Sequence, residues 1–237
     1  MNGENSNDKH YGKLFIVATP IGNLEDLTLR ALKTLKEVSI IACEDTRQTQ
    51  KILNKYELKK KLISYFHPKE RQKIPIILDV LKKGKDVALV SDAGTPGLSD
   101  PGFPLIRESI ALGIKVIPIP GPSAVTASLS AAGLPTHRFL FLGFVPPKKE
   151  ATKKLLQSLK SEKSTLIFYL PPRKLHSFLK LIQETLGKRQ IVIAREMTKI
   201  FEEFIRGTCD ELIKRLDDKT LKGEATILIG PNLRGKN

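Results

Sequence analysis

The stretch VALVSDAGTPGLSDPG, residues 87–102, joins an apolar run to a long loop rich in glycine and proline. Residues 87–90 predict a buried strand, and a helix is predicted from Phe103 onward. In parallel α/β sheets such loops lie at the carboxyl ends of the strands, where ligands bind. An ordinary turn between a strand and a helix needs roughly two or three residues, and long loops in compact domains are usually functional. The stretch therefore predicts an α/β sheet with a ligand site at this loop.

Apolar runs alternate with helical patterns along the rest of the chain, which predicts α/β layers with largely parallel pairing. Among the helices, one is predicted to be capped by Thr28, one to carry Pro75 in its first turn, and one to be capped by Ser123. Two breaks compete as a domain boundary, residues 118–122 and residues 145–149. The predicted strands are residues 13–18, 38–42, 62–66, 87–90, 114–119, 139–142, 165–170, 191–195, 201–206 and 225–230.

Composition excludes several classes of protein. The first ten residues are polar and predict a disordered tail rather than a signal segment. No apolar run approaches the ~20 residues that a bilayer-spanning helix needs. The two cysteines are far apart and the four histidines show no ligand spacing, so neither a disulfide framework nor a metal motif is expected. These features indicate a cytoplasmic protein without metal.

Charge points to an anionic partner. The chain has 40 Lys and Arg against 25 Asp and Glu, a net charge of +15. A protein with a large positive charge can bind a phosphate backbone, because neutralising the phosphates releases their counterions. Residues 51–85 hold eleven basic against three acidic residues. The alternative is an ordinary lysine-rich solvated surface. The residues predicted to bind the phosphate backbone of a nucleic acid are Lys59, Lys60, Lys61, Lys148 and Lys149.

The motifs of several common nucleotide-binding and catalytic sites are absent from the sequence. The first strand is not followed by G-x-G-x-x-G, and the chain has no phosphate-binding P-loop, no serine nucleophile elbow and no H-E-x-x-H. Three loops rich in glycine and proline remain at strand ends: TPIGN at 19–23, SDAGTPGLSDPG at 91–102 and PIPGPSA at 118–124. Such loops offer backbone groups rather than reactive side chains, which suits a cofactor that carries its own chemistry.

In that order the loops resemble those of the tetrapyrrole-methylase superfamily, the class III S-adenosylmethionine-dependent methyltransferases. The segments that carry the resemblance are residues 14–32, 42–49, 87–102, 116–124, 133–148, 165–169, 194–208 and 222–230. The resemblance implies two α/β domains, each with a mixed sheet, S-adenosylmethionine in the cleft between them, and a homodimer. It favours the earlier break, which gives domains at 11–120 and 121–237 after a tail at 1–10.

Position by position, the resemblance assigns ten residues to the cofactor. For Leu170 and Met197, plain core packing is the alternative. The departure from the family at Leu170-Pro171-Pro172-Arg173, where an acidic residue is common, also weakens any polar role at Leu170. The ten cofactor residues are Pro20, Ala93, Gly94, Thr95, Leu98, Ser123, Ala124, Leu170, Met197 and Ala225.

The pair of motifs EDTR (44–47) and SDAGTP (91–96) is similar to one branch of this superfamily. That branch methylates the ribose 2′-OH of a cytidine in small-subunit (16S) ribosomal RNA. A ribose hydroxyl is a weak acid and gains from a general base, and arginine can hold a phosphate with two hydrogen bonds. The residues predicted to be catalytic are Glu44, Asp45, Arg47 and Asp92.

Three functions are compatible with these patterns: an rRNA ribose methyltransferase, a methylase of a tetrapyrrole or corrin intermediate, and a non-catalytic RNA-binding protein of ribosome assembly. The lysine-rich segments and EDTR favour the first over the second. The full set of cofactor loops favours the first over the third. For Glu44 and Asp45 the structural alternative is a helix start, with Asp45 or Thr46 as the cap.

Overall fold

The computed structural model describes residues 10–216 and 222–232. The tail predicted at residues 1–10 therefore lies outside the described residues except for His10. The chain divides between Ser123 and Ala124 into two compact units, and the division predicted from sequence is at residue 120.

The first unit is built on a five-stranded sheet in the order β3-β2-β4-β1-β5, in which every pair of neighbouring strands is parallel. The α/β class is confirmed, but the mixed sheet expected in this unit is wrong. Helical crossovers link successive strands, and such connections favour parallel pairing. The elements are β1 (Leu14–Val17), α1 (Leu29–Glu37), β2 (Ile40–Cys43), α2 (Thr46–Lys55), β3 (Lys61–Ser64), α3 (Glu70–Lys82), β4 (Val87–Val90), α4 (Phe103–Ala111) and β5 (Val116–Ile119).

Two apolar clusters lie on opposite faces of this sheet because its central strands are buried on both sides. Every residue of β2 and β4 is buried, as expected for a parallel sheet covered by helices. Alternate residues divide between the clusters: Leu89 belongs to one and Val90 to the other. Because all five strands run parallel, their carboxyl ends lie at one edge of the sheet, where the loops emerge.

Helix starts in this unit follow the sequence in one case and depart from it in another. The Thr28 side chain accepts a hydrogen bond from the backbone N–H of Ala31, so the predicted cap of α1 is present. Pro75 lies inside α3, which begins at Glu70, so its predicted place in the first turn is wrong. An internal proline removes one N–H from the helix ladder, and the buried Ile74, Ile77, Leu78 and Leu81 stabilise the helix against that loss.

The second unit has a five-stranded mixed sheet in the order β6-β7-β10-β8-β9. Only β6 and β7 pair in parallel, and the other three pairs are antiparallel. The mixed sheet expected here is confirmed, whereas the largely parallel pairing inferred from alternation fails in this unit. The elements are α5 (Ala124–Ala132), β6 (Phe139–Phe144), α6 (Lys149–Ser158), β7 (Thr165–Leu170), α7 (Leu175–Leu186), β8 (Gln190–Arg195), β9 (Glu203–Thr208), α8 (Cys209–Leu216) and β10 (Ala225–Ile229).

One large apolar cluster forms the core of the second unit. It joins α7, which buries seven of its side chains, to the inner face of the sheet. The strand predicted at 201–206 begins at Glu203 instead, because the aromatic ring of Phe201 is 72% exposed and outside the sheet. Because Phe201 is apolar, the sequence pattern placed the start of the strand two residues too early.

Candidate functional site

The end of β1 is joined to the long loop after β4. Thr19 and Gly94 exchange two backbone hydrogen bonds, of 2.9 and 3.0 Å. The buried Thr19 hydroxyl also donates to the carbonyl of Ser91 at 3.0 Å. Because β1 and β4 are neighbours in the sheet, these bonds fix the loop against the TPIGN turn.

Gly94 has a φ of +82°, a backbone conformation that favours glycine. A Cβ there would lie 3.4 Å from the Ile21 side chain and 3.8 Å from the carbonyl oxygen of Pro122. The hydroxyl of Thr95 donates to the same carbonyl at 3.4 Å. The loops after β1, β4 and β5 therefore meet at Gly94, as expected for loops at the carboxyl ends of adjacent parallel strands.

The geometry of Gly94 restricts how a ligand can use it. Its N–H and its C=O are both bonded to Thr19, so a cofactor could contact only its Cα surface. This cradle, with no Cβ and a positive φ, leaves the Cα of Gly94 uncovered by a side chain of its own, which is compatible with close approach of a cofactor. Around it Pro20 is buried, Thr95 is half-buried, and Ala93 and Leu98 are exposed.

The other predicted cofactor residues are the last residue of the first unit and four residues of the second unit. Ser123 ends the first unit and Ala124 begins the second, and both are half-buried. Leu170 and Ala225 are register partners across β7 and β10, and both belong to the core cluster. Met197, just after β8, is buried. Burial of these three side chains agrees with the core-packing alternative, so their cofactor role stays a prediction.

The ends of β2 and β4 bring the predicted catalytic residues together. Cys43 and Val90 are register partners at these ends. Two residues further on, the backbone N–H of Asp45 donates to Oδ1 of Asp92 at 2.9 Å. Asp45 is also the cap of α2, since its carboxylate accepts from the backbone N–H of Arg47 at 2.8 Å. The helix start considered from sequence is thus real, and it places Asp45 beside Asp92.

The side chain of Arg47 is exposed to water and forms an ion pair with Asp45 through two of its nitrogens. Its Nε and one amino nitrogen donate to the Asp45 carboxylate, at 3.0 and 2.6 Å, and its side chain is 87% exposed. These hydrogen bonds lower the pKa of Asp45 to about 2. The fork therefore orients a planar guanidinium whose outer edge is open to an anion.

Three further carboxyls at this edge have raised pKa values. Partial burial, then the negative charges of Asp92 and Asp100, raise the pKa of Glu44. Withdrawal from water and the charge of Asp45 raise the pKa of Asp92. Burial raises the pKa of Asp100 to about 6, against a hydrogen bond from Ser91 that lowers it. Carboxyls tuned upward in this way are better proton acceptors near neutral pH.

Asp100 is the residue that sequence reasoning missed. The sequence places it in the predicted loop at 91–102 but gives no direct sign that it joins the acidic group. The available signal was the second acidic residue of the same loop, eight positions after Asp92. Since a long loop can fold back on its own strand end, that repetition could have suggested proximity.

The lysines predicted to bind RNA differ in whether the side-chain ammonium is exposed or bonded within the protein. Lys59 and Lys61 are exposed, but the ammonium of Lys60 donates to the carbonyl of Val38 at 2.7 Å. Lys148 and Lys149 are exposed at the start of α6, in the second unit. Lys60 therefore has a structural role in the first unit that the other four lack.

Metal-ligand groups and cysteine thiols can be assessed over the described residues of both units. Among residues 10–216 and 222–232, no group of three or more His, Cys, Asp or Glu side chains is arranged to hold a metal ion. Burial raises the pKa of both Cys43 and Cys209 to about 11, which keeps these thiols protonated at neutral pH.

Within the described part of the chain, no helix is long and apolar enough to cross a membrane.

Comparison with solved structures supports the fold. The methyltransferase CobJ matches 93% of this chain and 95% of its own, with a TM-score of 0.69 and 20% identity. Diphthine synthase matches 92% of this chain and 90% of its own, with a TM-score of 0.72 and 16% identity. At these identities the matches establish the two-unit fold.

Sequence comparison establishes the family. The chain is 49% identical over 218 residues to the ribosomal RNA small subunit methyltransferase I of Thermotoga maritima, covering 92% of this chain and 98% of that protein. It is 47% identical to the protein of the same name from Halalkalibacterium halodurans, covering 93% of this chain and 76% of that protein. The family model of tetrapyrrole (corrin/porphyrin) methylases matches residues 13–213. The resemblance inferred from the loops is confirmed: the chain belongs to the tetrapyrrole methylase family and is a methyltransferase that uses S-adenosylmethionine.

Proposed function

We propose that this chain methylates the ribose 2′-OH of a cytidine in the 16S RNA of the small ribosomal subunit. The observation that carries the proposal is the set of relatives at 43–49% identity over most of the chain, all named ribosomal RNA small subunit methyltransferase I. The net charge of +15 fits a polyanionic substrate. A tetrapyrrole substrate accounts less well for that charge, and a non-catalytic RNA-binding protein accounts less well for the Gly94 cradle.

The proposed cofactor site includes the loops that meet at Gly94. Bound S-adenosylmethionine supplies a methyl group already activated on a sulfonium. We assign to its binding Pro20, Ala93, Gly94, Thr95, Leu98 and Ser123 of the first unit, and Ala124, Leu170, Met197 and Ala225 of the second. The chain itself then has two tasks, to orient the acceptor hydroxyl and to accept its proton.

For the proton we propose the acidic group at the ends of β2 and β4. Glu44 and Asp92 are the candidate acceptors, because desolvation and then neighbouring negative charge raise the pKa of each. Asp45 is a poor base, since its fork with Arg47 holds its pKa near 2. Its proposed role is to position Arg47, and through the hydrogen bond from its N–H also Asp92.

For orientation we propose Arg47. Two of its nitrogens are held by Asp45, and among the described residues its remaining amino nitrogen has no hydrogen-bond partner. A phosphate next to the target ribose could bind that outer edge. The charge of Arg47 would bring the anionic backbone to the acidic group, which would otherwise repel it.

The lysines of the first unit supply a second test of an RNA substrate. Replacing Lys59 and Lys61 by alanine should lower the slope of log affinity against log salt by up to about 1.4 for single-stranded RNA, at ~0.7 for each phosphate contact. Lys60→Ala is the matched comparison, because the ammonium of Lys60 donates to the carbonyl of Val38. Its loss should lower stability more than it lowers the slope of log affinity against log salt. An unchanged slope in the double variant would remove this surface from the RNA site.

The decisive experiment is transfer of a labelled methyl group to purified small subunits that lack the modification. We expect labelled 16S RNA in which one phosphodiester bond resists alkaline cleavage, because that cleavage needs a free 2′-OH. Label on a base would reject the ribose assignment. Label on a tetrapyrrole but not on RNA would select the second hypothesis. The homodimer expected from the resemblance also stays a prediction, which sedimentation of the purified protein can check.

A further inference from the structure

Phe144 presents an aromatic ring to solvent at the end of β6. The ring is 61% exposed, and it packs edge-on against Tyr169 of β7 with ring centroids 5.4 Å apart. Phe141 contacts the same Tyr169 at 4.9 Å. The three rings form an aromatic cluster, defined here as Phe141, Phe144 and Tyr169, of which Phe144 is the most exposed member.

The backbone around Phe144 is held in place. The N–H of Val145 donates to the carbonyl of Tyr169 at 3.1 Å. The buried hydroxyl of Thr152, in α6, donates to the carbonyl of Pro146 at 3.0 Å and approaches that of Lys148 at 3.2 Å. The turn from β6 into α6 is thereby held by hydrogen bonds, and the backbone that carries the exposed ring is part of this bonded segment.

The segment that follows Phe144 in sequence is basic. Residues 148–154, KKEATKK, carry four lysines against one acidic residue, Glu150. Lys148 and Lys149 come within five residues of Phe144 and are exposed. An exposed aromatic ring beside a run of positive charge is the combination that single-stranded nucleic-acid sites use, since bases stack on the ring and phosphates bind the charges.

A second exposed aromatic residue in the same unit lacks this charge. Phe201 is 72% exposed, beside Ile200 at 95%, but it is followed by Glu202 and Glu203. The nearby Lys199 is paired with two glutamates, at 3.0 and 2.9 Å. Exposure alone thus does not distinguish the two rings, whereas charge complementarity to an anionic strand does.

We propose that the aromatic cluster is a stacking platform for a nucleobase of single-stranded RNA, with Phe144 in contact with the base and Lys148 and Lys149 binding the adjoining phosphates. This inference rests on the proposed function, which makes RNA the substrate. It adds a binding site in the second unit for a nucleotide that need not be the methylated one. Unpaired bases with free faces are what proteins read in RNA.

The test uses the absence of tryptophan from the sequence. Phe144→Trp introduces one indole, which should be quenched when single-stranded RNA stacks on it. Phe201→Trp is the matched control, because Phe201 is also exposed but is followed in sequence by two glutamates rather than by lysines, and its fluorescence should stay unchanged at the same RNA concentration. Quenching in both variants, or in neither while RNA binds, would overturn the proposal.

Affinity measurements separate stacking from general apolar contact. Phe144→Ala and Phe144→Leu should each weaken binding of a single-stranded oligonucleotide by about 5-fold or more, the scale of one lost base stack. Phe144→Trp should bind at least as tightly as the parent protein. The salt slope should be unchanged in Phe144→Ala, but reduced by up to about 1.4 when Lys148 and Lys149 are both replaced by alanine. Wild-type affinity in Phe144→Leu would overturn the stacking assignment.

The failure of this inference can be told apart from failure of the proposed function. If the parent protein binds and methylates RNA while the Phe144 variants are indistinguishable from it, only the platform is rejected. If the parent protein binds no RNA, both are rejected. If Phe144→Ala changes the sedimentation coefficient with RNA affinity intact, the ring contacts a second copy of the chain, and the platform is again rejected.

Discussion

Arg189 in the second unit and the carboxylates at the ends of β2 and β4 in the first all have pKa values shifted by desolvation, but their surroundings differ. Arg189 is 2% exposed and donates to the carbonyls of Leu186, Gly230 and Lys160, at 3.4, 3.2 and 3.1 Å. Burial lowers its pKa. With three carbonyl partners, the charge joins the end of α7 to two other segments of the same core.

The carboxylates of the first unit have the opposite surroundings. Glu44, Asp92 and Asp100 lie near one another, and their pKa values are raised. Like charges held together reduce stability, which is typical of sites where a proton must move. The comparison suggests that a buried charge with full partners serves the fold, whereas clustered charges of one sign serve a reaction. Four predictions test it, from the largest expected effect to the smallest.

Gly94→Val should reduce S-adenosylmethionine binding below detection by calorimetry. Its added side chain would occupy the surface where the three loops meet. Gly113→Val is the control, because Gly113 has a similar φ of +74° but nothing within 4 Å of the added Cβ. Both variants bear the strain of a positive φ, roughly 1–2 kcal/mol. Near-normal cofactor affinity in Gly94→Val would reject the ligand role of this edge.

Arg189→Met should lower the free energy of unfolding by about 3 kcal/mol, because two buried carbonyls and one partly buried carbonyl lose their donor. Urea denaturation measures this loss. The control is Arg138→Met, since Arg138 is 65% exposed and its ion pair with Glu162 is long, at 3.9 Å; its loss should cost less than about 1 kcal/mol. Methyl transfer by the folded fraction should be unchanged in both variants. A small loss in Arg189→Met would remove the contrast with the acidic group.

Arg47→Ala should reduce methyl transfer to small subunits by at least ~100-fold at matched folded concentration. Stability should change little, since the cap of α2 uses the backbone N–H of residue 47, which alanine keeps. Arg47→Lys should restore part of the activity, because it supplies charge without the fork. Full activity in Arg47→Ala would leave Asp45 and Arg47 with the helix start as their only role.

Asp100→Asn should stabilise the first unit by about 1 kcal/mol at pH 7. The gain is limited because water at this partly buried site screens part of the cost of the ionised carboxyl. The native pKa of Asp100, about 6, is above its ordinary value. The ionised carboxyl therefore destabilises the fold above pH 6, and this cost disappears as pH falls toward 4. Thermal unfolding at several pH values should show the advantage of asparagine shrinking over that window. Asp79→Asn, a surface control paired with Lys83, should show little change.

Sequence alone determined the elements whose signals are local. Strands β4 and β7 were predicted at their observed bounds, because apolar runs there are enclosed by turn residues. The Thr28 cap was predicted for a similar reason. The loops at the strand ends carried the family resemblance and hence the cofactor, since their glycines and prolines are identifiable without any knowledge of pairing.

Tertiary structure decided what depends on residues distant in sequence. The order β3-β2-β4-β1-β5 sets β2 beside β4, and so brings Asp45 to Asp92. The strand β10 pairs antiparallel with both β7 and β8, which alternation along the chain did not indicate. Lys60 looks like its neighbours in sequence, yet its ammonium is bonded to Val38. Strand order, pKa values and the partners of long side chains follow from packing between distant segments, and periodicity describes only neighbours along the chain.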